Sequence, residues 1–247
     1  MSLLSTVKAE LAALLDLLFP QACPLCRTEL TPASAAGLCH SCQAQLPELS
    51  SPRCSRCALP FVSEGGSDHL CEPCLRQPPP FSQVEAVGNY EGLLRDAVHR
   101  FKYRGTVQLD RPLATLLAER MEQAETPFRP DLIVPVPLHL GRLRQRGYNQ
   151  SLLLARQLAK RWRVPVAPRQ LVRNRPTPPQ QGLSLSVRQQ NLRGAFAMTA
   201  PLQGETVLLI DDVMTTGATL RECARTLQSS GAGEIVAAVI GRAQRHH

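Results

Sequence analysis

The chain has 247 residues, 43% of them hydrophobic, nine cysteines and a formal charge of +8. That is enough apolar material to bury a full core, in one large domain or two modest ones. No stretch reaches the roughly 18 to 20 uninterrupted apolar residues of a membrane span.

Residues Met1 to Phe19 are apolar, but they lack a basic leading region and are interrupted by Lys8, Glu10 and Asp16. They are therefore not read as an export signal, and the protein is expected in the cytoplasm. Leu4, Val7, Leu11, Leu14, Leu15 and Leu18 recur at helical spacing. An amphipathic helix over 1–20 is predicted, packing on the rest of the protein or on a homodimer partner, with a membrane-surface role as the alternative.

Eight of the nine cysteines fall between residues 23 and 74 as four Cys-x-x-Cys pairs: Cys23/Cys26, Cys39/Cys42, Cys54/Cys57 and Cys71/Cys74. Two intervening residues let both thiolates of a tight turn face one metal, and two such turns close a sulfur tetrahedron around zinc. Eight thiolates match two structural Zn2+ ions, paired sequentially or in a crossed arrangement. Disulfides would need an oxidising compartment, and the spacing does not resemble the clustered runs of iron–sulfur proteins. His40 and His69 flank ligand positions and are read as solvent-facing. Gln77-Pro78-Pro79-Pro80 is a stiff spacer, so the Cys-rich domain is placed at 21–80 and a second domain at 81–247.

Charge changes at the same place. Residues 1–80 hold five Lys/Arg against seven Asp/Glu, and residues 81–247 hold 23 against 13. Between Asp131 and Glu205 there is no acidic residue, while twelve Lys/Arg run from Arg142 to Arg193. Such a tract favours an anionic partner, either the phosphates of a small ligand or nucleic acid.

From residue 84 strands and helices alternate. Val84–Tyr90 reads as a strand, and Leu93, Leu94, Ala97, Val98 and Phe101 form a helical stripe. Arg111–Gln123 reads as a helix capped by Asp110. Leu132–Val134 is a buried strand ended by Pro135 and Pro137, and Asn149–Trp162 a helix with an apolar and a basic face. A strand at Val207–Ile210, a helix at Ala218–Gln228 and a strand at Ile235–Ile240 complete an α/β fold with a mostly parallel sheet covered by helices. Cys223 lies on the apolar face of its helix and is assigned to the core.

In Val207 to Thr219 a buried strand runs into Asp211-Asp212, then a Thr/Gly-rich turn, then a helix. The carboxyl ends of parallel strands line the ligand crevice of such folds, and a helix N-terminus offers amides to phosphate. Two carboxylates just before that cradle suit a ligand carrying hydroxyls or a metal beside its phosphate. The segment resembles the ribose-phosphate loop of type I phosphoribosyltransferases. By that resemblance Asp211 and Asp212 are the catalytic pair that binds the ribose hydroxyls, while Thr215, Thr216, Gly217, Ala218 and Thr219 enclose the 5′-phosphate of phosphoribosyl pyrophosphate. Further matches are the Cys-x-x-Cys pairs, Phe101 to Gly105, Pro135-Val136-Pro137, Arg146 to Gln150, Arg173 to Gln181, and Arg188 with Asn191. Over nearly the whole chain they resemble the ComF family of competence-associated, phosphoribosyltransferase-like proteins.

Lys102, Arg142, Arg144 and Arg146 are candidates to neutralise pyrophosphate together with Mg2+, because pyrophosphate leaves readily only when its charge is matched. Arg173 to Gly182 reads as a mobile loop. Phosphoribosyltransferases close such a loop over the site, so Arg175 and Thr177 become candidate lid residues. The resemblance implies displacement of pyrophosphate by an acceptor that the sequence does not name. Two other readings stay open: a single-stranded-DNA-handling protein working with other competence proteins, and a regulator that senses phosphoribosyl pyrophosphate without turnover.

Overall fold

A computed structural model describes residues 21–31, 34, 36–61, 65–124, 128–175 and 191–244. The predicted helix over 1–20, together with Thr177 and Arg188, lies outside the described residues. Two compact units divide the chain, 1–45 and 46–247. The first contains helix α1 (His40–Ala44). In the second follow α2 (Glu72–Arg76), β1 (Gln83–Asn89), α3 (Gly92–Tyr103), α4 (Asp110–Glu122) and β2 (Leu132–Pro135). Next come α5 (Leu140–Arg146), α6 (Gln150–Trp162), β3 (Leu171–Arg173), β4 (Phe196–Met198), β5 (Val207–Ile210), β6 (Val213–Met214), α7 (Ala218–Ser229) and β7 (Ile235–Arg242).

The main sheet has the order β1-β7-β5-β2, all parallel, with β6 also pairing β7. β5 is buried at every position because it lies between two neighbours and under helices on both faces; this is why it reads as an unbroken apolar run. Its register sets Ile210 beside Pro135 of β2. The residues after both strands, Asp211-Asp212 and Val136-Pro137, therefore emerge at one edge. The fold is thus the predicted parallel sheet flanked by helices.

Local sequence explains most of the elements. α3 buries Leu94, Ala97, Val98 and Phe101, the i, i+3, i+4, i+7 pattern of one helix face. Asn149 caps α6, its side-chain oxygen accepting from the Ser151 and Leu152 amides at 3.0 and 3.4 Å. Its Nδ2 donates to the Val136 carbonyl at 3.0 Å, tying the helix start to the end of β2.

Three features depart from the sequence reading. Asp110 is not the cap of α4 but its first residue, because a 3-10 turn (Val107–Leu109) runs directly into the helix. Its carboxylate instead accepts from the Arg111 amide and from Gln157 of α6 at 2.6 and 2.7 Å. β3 and β4 form an antiparallel pair, so the segment beginning at Arg173 starts as a strand. α5 forms without one buried side chain; His139 caps it, and Gly147 closes it at φ 79°, a conformation glycine adopts without steric cost.

Replacing Asn149 with alanine removes the cap and leaves the Val136 carbonyl without that donor. The expected loss is about 1–2 kcal/mol, read as a lower urea midpoint with an unchanged slope; an unchanged midpoint would count against this account of how α6 begins.

Candidate functional site

A cleft of about 670 Å3 opens at the carboxyl edge of β2 and β5. Asp211, Asp212, Thr215, Thr219, Lys102, Arg142, Arg146 and Arg173 all line it. Four of the sequence motifs meet here through hydrogen bonds. Tyr148 donates its hydroxyl to the Phe101 carbonyl, fixing the backbone beside Lys102. Arg146 donates to Gln150 Oε1 at 3.1 Å and lies 4.7 Å over the Tyr103 ring. The Ser151 hydroxyl donates to Asp211 Oδ1 at 3.2 Å.

The carboxylates have distinct settings. Asp212 is 8% exposed, and Lys102 Nζ donates to its Oδ1 at 2.7 Å. Asp211 accepts from the Asp212 amide at 2.9 Å. Burial, then the neighbouring Asp212 charge, pushes the Asp211 pKa up to about 7, with Lys102 opposing. Burial alone would depress the Lys102 ammonium, but its bond to Asp212 and the nearby Asp211 carry it above its ordinary value. Arg173 moves the other way: burial, then repulsion from Arg142, draws it down. Two mutually repelling guanidiniums at the edge of one cleft favour an anion there.

Gly217 begins α7 at φ 79°. That left-handed conformation is one glycine adopts without steric cost and other residues rarely do, which is how the chain turns from β6 into the helix. Of the predicted phosphate-loop residues, Thr215 and Thr219 line the cleft, whereas Thr216, Gly217 and Ala218 do not; the start of α7 carries amides without intrahelical partners and the positive end of the helix dipole. Thr216 takes part in the turn itself, its hydroxyl accepting from the Ala218 amide at 3.4 Å.

Not every candidate converges on the cleft. Arg142 and Arg146, one helical turn apart on α5, line it, whereas Arg144 between them is exposed on another face. Arg175 donates to the Asn191 and Arg193 carbonyls, both at 3.0 Å, and is absent from the cleft lining. The sequence does not mark Ser151, Arg173, Tyr103 or Tyr148 as residues of this ligand site. Tyr103, Tyr148 and Arg173 lie inside the motifs Phe101 to Gly105, Arg146 to Gln150 and Arg173 to Gln181; Ser151 carries no such signal.

The cysteine sulfurs gather as Cys23, Cys26, Cys39, Cys42 and as Cys54, Cys57, Cys71, Cys74, within 4.8 Å of one another in each group. This is the sequential arrangement. Tetrahedral zinc, with Zn–S near 2.3 Å, needs sulfurs roughly 3.8 Å apart; Cys26–Cys39 at 3.4 Å and Cys57–Cys71 at 3.7 Å are close to that. Both groups begin with the same turn, in which the residue after the second cysteine is left-handed: Arg27 at φ 66° and Ala58 at φ 54°. Backbone amides point at sulfur, Cys57 and Cys71 donating to Cys54 Sγ at 3.4 and 3.3 Å. No cysteine is in a disulfide, and His40 and His69 are exposed. The two sites fit two structural zinc ions. Cys223 is fully buried in the core.

Comparison with known proteins agrees with both halves of this description. Residues 14–78 match the double zinc ribbon domain and residues 148–246 the phosphoribosyl transferase domain, so the chain combines a zinc ribbon with a phosphoribosyltransferase-type domain. Competence protein F of Haemophilus influenzae is 35% identical over 86% of this chain and 93% of its own length. DNA utilization protein YhgH of Salmonella typhi is 35% identical over 87% and 94%, and competence protein ComFC of Bacillus subtilis 26% identical over 78% and 79%. The chain belongs to the ComF family. Among the described residues no helix is long and apolar enough to cross a membrane.

Metal analysis of the purified chain should return two zinc ions, and Cys54→Ser should lower the content toward one, because Cys54 Sγ accepts two backbone bonds besides serving as a ligand. Zinc content unchanged by that substitution would contradict the assignment.

Proposed function

We propose that the cleft binds phosphoribosyl pyrophosphate with Mg2+, and that the protein is a cytoplasmic phosphoribosyltransferase transferring the pentosyl group to an acceptor. The observation that carries this reading is that Asp211 and Asp212 line one cleft together with Thr215 and Thr219 at the start of α7 and with Lys102, Arg142, Arg146 and Arg173.

In this reading Asp211 and Asp212 accept the ribose hydroxyls, and the amides and hydroxyls of Thr215 to Thr219 hold the 5′-phosphate. Lys102, Arg142, Arg146 and Arg173 face the pyrophosphate. Their charge stabilises it as the C1–O bond breaks and positive charge grows on the ribose ring. Arg144 and Arg175 are given no contact with ligand. The paired carboxylate oxygens are hard donors of the kind Mg2+ prefers, and the ion would supply further neutralisation of the leaving pyrophosphate. Lys102 pairs with Asp212 and so keeps the carboxylate pair from repelling at full strength.

The raised Asp211 pKa gives the reading a sign. A protonated Asp211 is a neutral and weaker acceptor for the ribose hydroxyls and a poorer partner for Mg2+, so binding should weaken as pH falls through about 7. Calorimetry with phosphoribosyl pyrophosphate and Mg2+ should show affinity rising between roughly pH 6 and 8, and Asp211→Asn should flatten that rise. Absence of binding would refute the proposal. Release of pyrophosphate in the presence of candidate acceptors then separates a transferase from a sensor.

One further observation favours a nucleic-acid role beside this site. Arg156, Lys160 and Arg163 are exposed along α6 and its end, and relatives carry the names DNA utilization protein and competence protein. If that face contacts single-stranded DNA, affinity should fall steeply with salt, and alanine at the three positions should reduce the slope; a flat slope would rule the contact out.

A further inference from the structure

The second sulfur cluster lies inside the phosphoribosyltransferase-type unit. Cys54, Cys57, Cys71 and Cys74 share one continuous core with Met214, Ala218 and Leu220, which lie in or just beyond the turn from β6 into α7. Two arginines bridge the same places. Arg242, at the end of β7, is 1% exposed. Its Nε donates to the Cys57 carbonyl at 2.8 Å, and its Nη2 lies 4.0 Å from Cys57 Sγ. Its Nη1 reaches the carbonyls of Met214 at 3.0 Å and Thr215 at 2.7 Å. Arg221 of α7 donates to Cys74 Sγ at 3.5 Å and to the Gln77 carbonyl at 2.9 Å.

We propose that Arg242 is a positioning residue that makes the zinc at Cys54, Cys57, Cys71 and Cys74 an anchor for the Thr215–Thr219 loop. Four thiolates around one Zn2+ leave a net negative cluster, and a buried guanidinium is stabilised by negative charge within reach. The planar fork lets one side chain meet the cluster with one edge and the loop carbonyls with the other. Arg242 is not among the residues that line the cleft, so it holds these carbonyls from behind the loop, and fixing a carbonyl fixes the planar peptide whose amide lies on the opposite side. Arg221 grips the cluster from the helix that the loop begins. Loss of this zinc frees both arginines and loosens the loop. Arg242 thus takes no part in the proposed chemistry and acts only through the loop. The inference rests on the proposed function for the loop's purpose, but not for the anchor itself.

Hydrogen exchange read by mass spectrometry on the zinc-loaded full chain, without ligand, tests the anchor directly. In Arg242→Lys, which keeps the charge but loses the fork, peptides spanning 213–219 should exchange roughly tenfold faster, the effect of losing a charge-assisted hydrogen bond. Peptides spanning 207–210 should be unchanged. Unchanged exchange at 213–219 overturns the proposal. Should the variant unfold, graded removal of zinc from the wild-type chain gives the same reading: exchange at 213–219 must rise in step with exposure of Cys54 to Cys74, measured by thiol labelling, and independent behaviour of the two overturns it. A loosened loop in a protein that binds no phosphoribosyl pyrophosphate would leave the anchor standing and refute the proposed function.

Discussion

Two adjacent carboxylates at the end of a buried strand impose the constraint on which the rest of the molecule depends. Asp211 and Asp212 repel each other in a partly dry setting, and the fold holds them by surrounding them with fixed partners. Lys102 bonds Asp212, and the Ser151 hydroxyl and the Asp212 amide bond Asp211. The Asp212 carbonyl meanwhile accepts from the Ile240 and Gly241 amides of β7 at 3.0 and 3.1 Å. The partners outside the pair come from α3, α6 and β7, so the position of the carboxylates depends on how those elements pack around the end of β5. Tyr148 and Asn149 show how that is achieved, by joining α6 to the end of α3 and to the end of β2.

What was legible in the sequence follows from range. The strands and helices of the main sheet were readable because each carries its own apolar period, as the stripe of α3 and the uninterrupted β5 do. The antiparallel pair of β3 and β4 was not, since each strand is three residues long and its partner is distant in sequence. α5 has no buried side chain to give a period. In the cleft, Asp211 to Thr219 stood out because its chemistry is contiguous. Ser151 and Arg242 act across tertiary contacts, the latter on a residue 185 positions away, and no local pattern announces that. The split between Arg142 and Arg146 on one side and Arg144 on the other follows from helical spacing, once a helix is assigned there.

The cysteines illustrate how composition and packing report different things. Their pairing in Cys-x-x-Cys turns announces metal chemistry at once, while the choice between sequential and crossed groups needed the fold. The second group adds to the core of the unit that holds the cleft rather than standing apart from it, with Phe61 and Leu70 packed against the same core. A zinc site placed there contributes folding energy to the domain that forms the cleft. In the proposed anchor its thiolates also supply negative charge to the buried Arg242.

The central claim is that this edge of the sheet is a phosphoribosyl site. A crystal structure of the full chain grown with phosphoribosyl pyrophosphate and Mg2+ tests it most directly. The account predicts the 5′-phosphate on the amides of Thr215 to Thr219, the ribose hydroxyls on Asp211 and Asp212, and the pyrophosphate among Lys102, Arg142, Arg146 and Arg173. Ligand density elsewhere on the molecule, or a cleft left empty at saturating ligand, would contradict it.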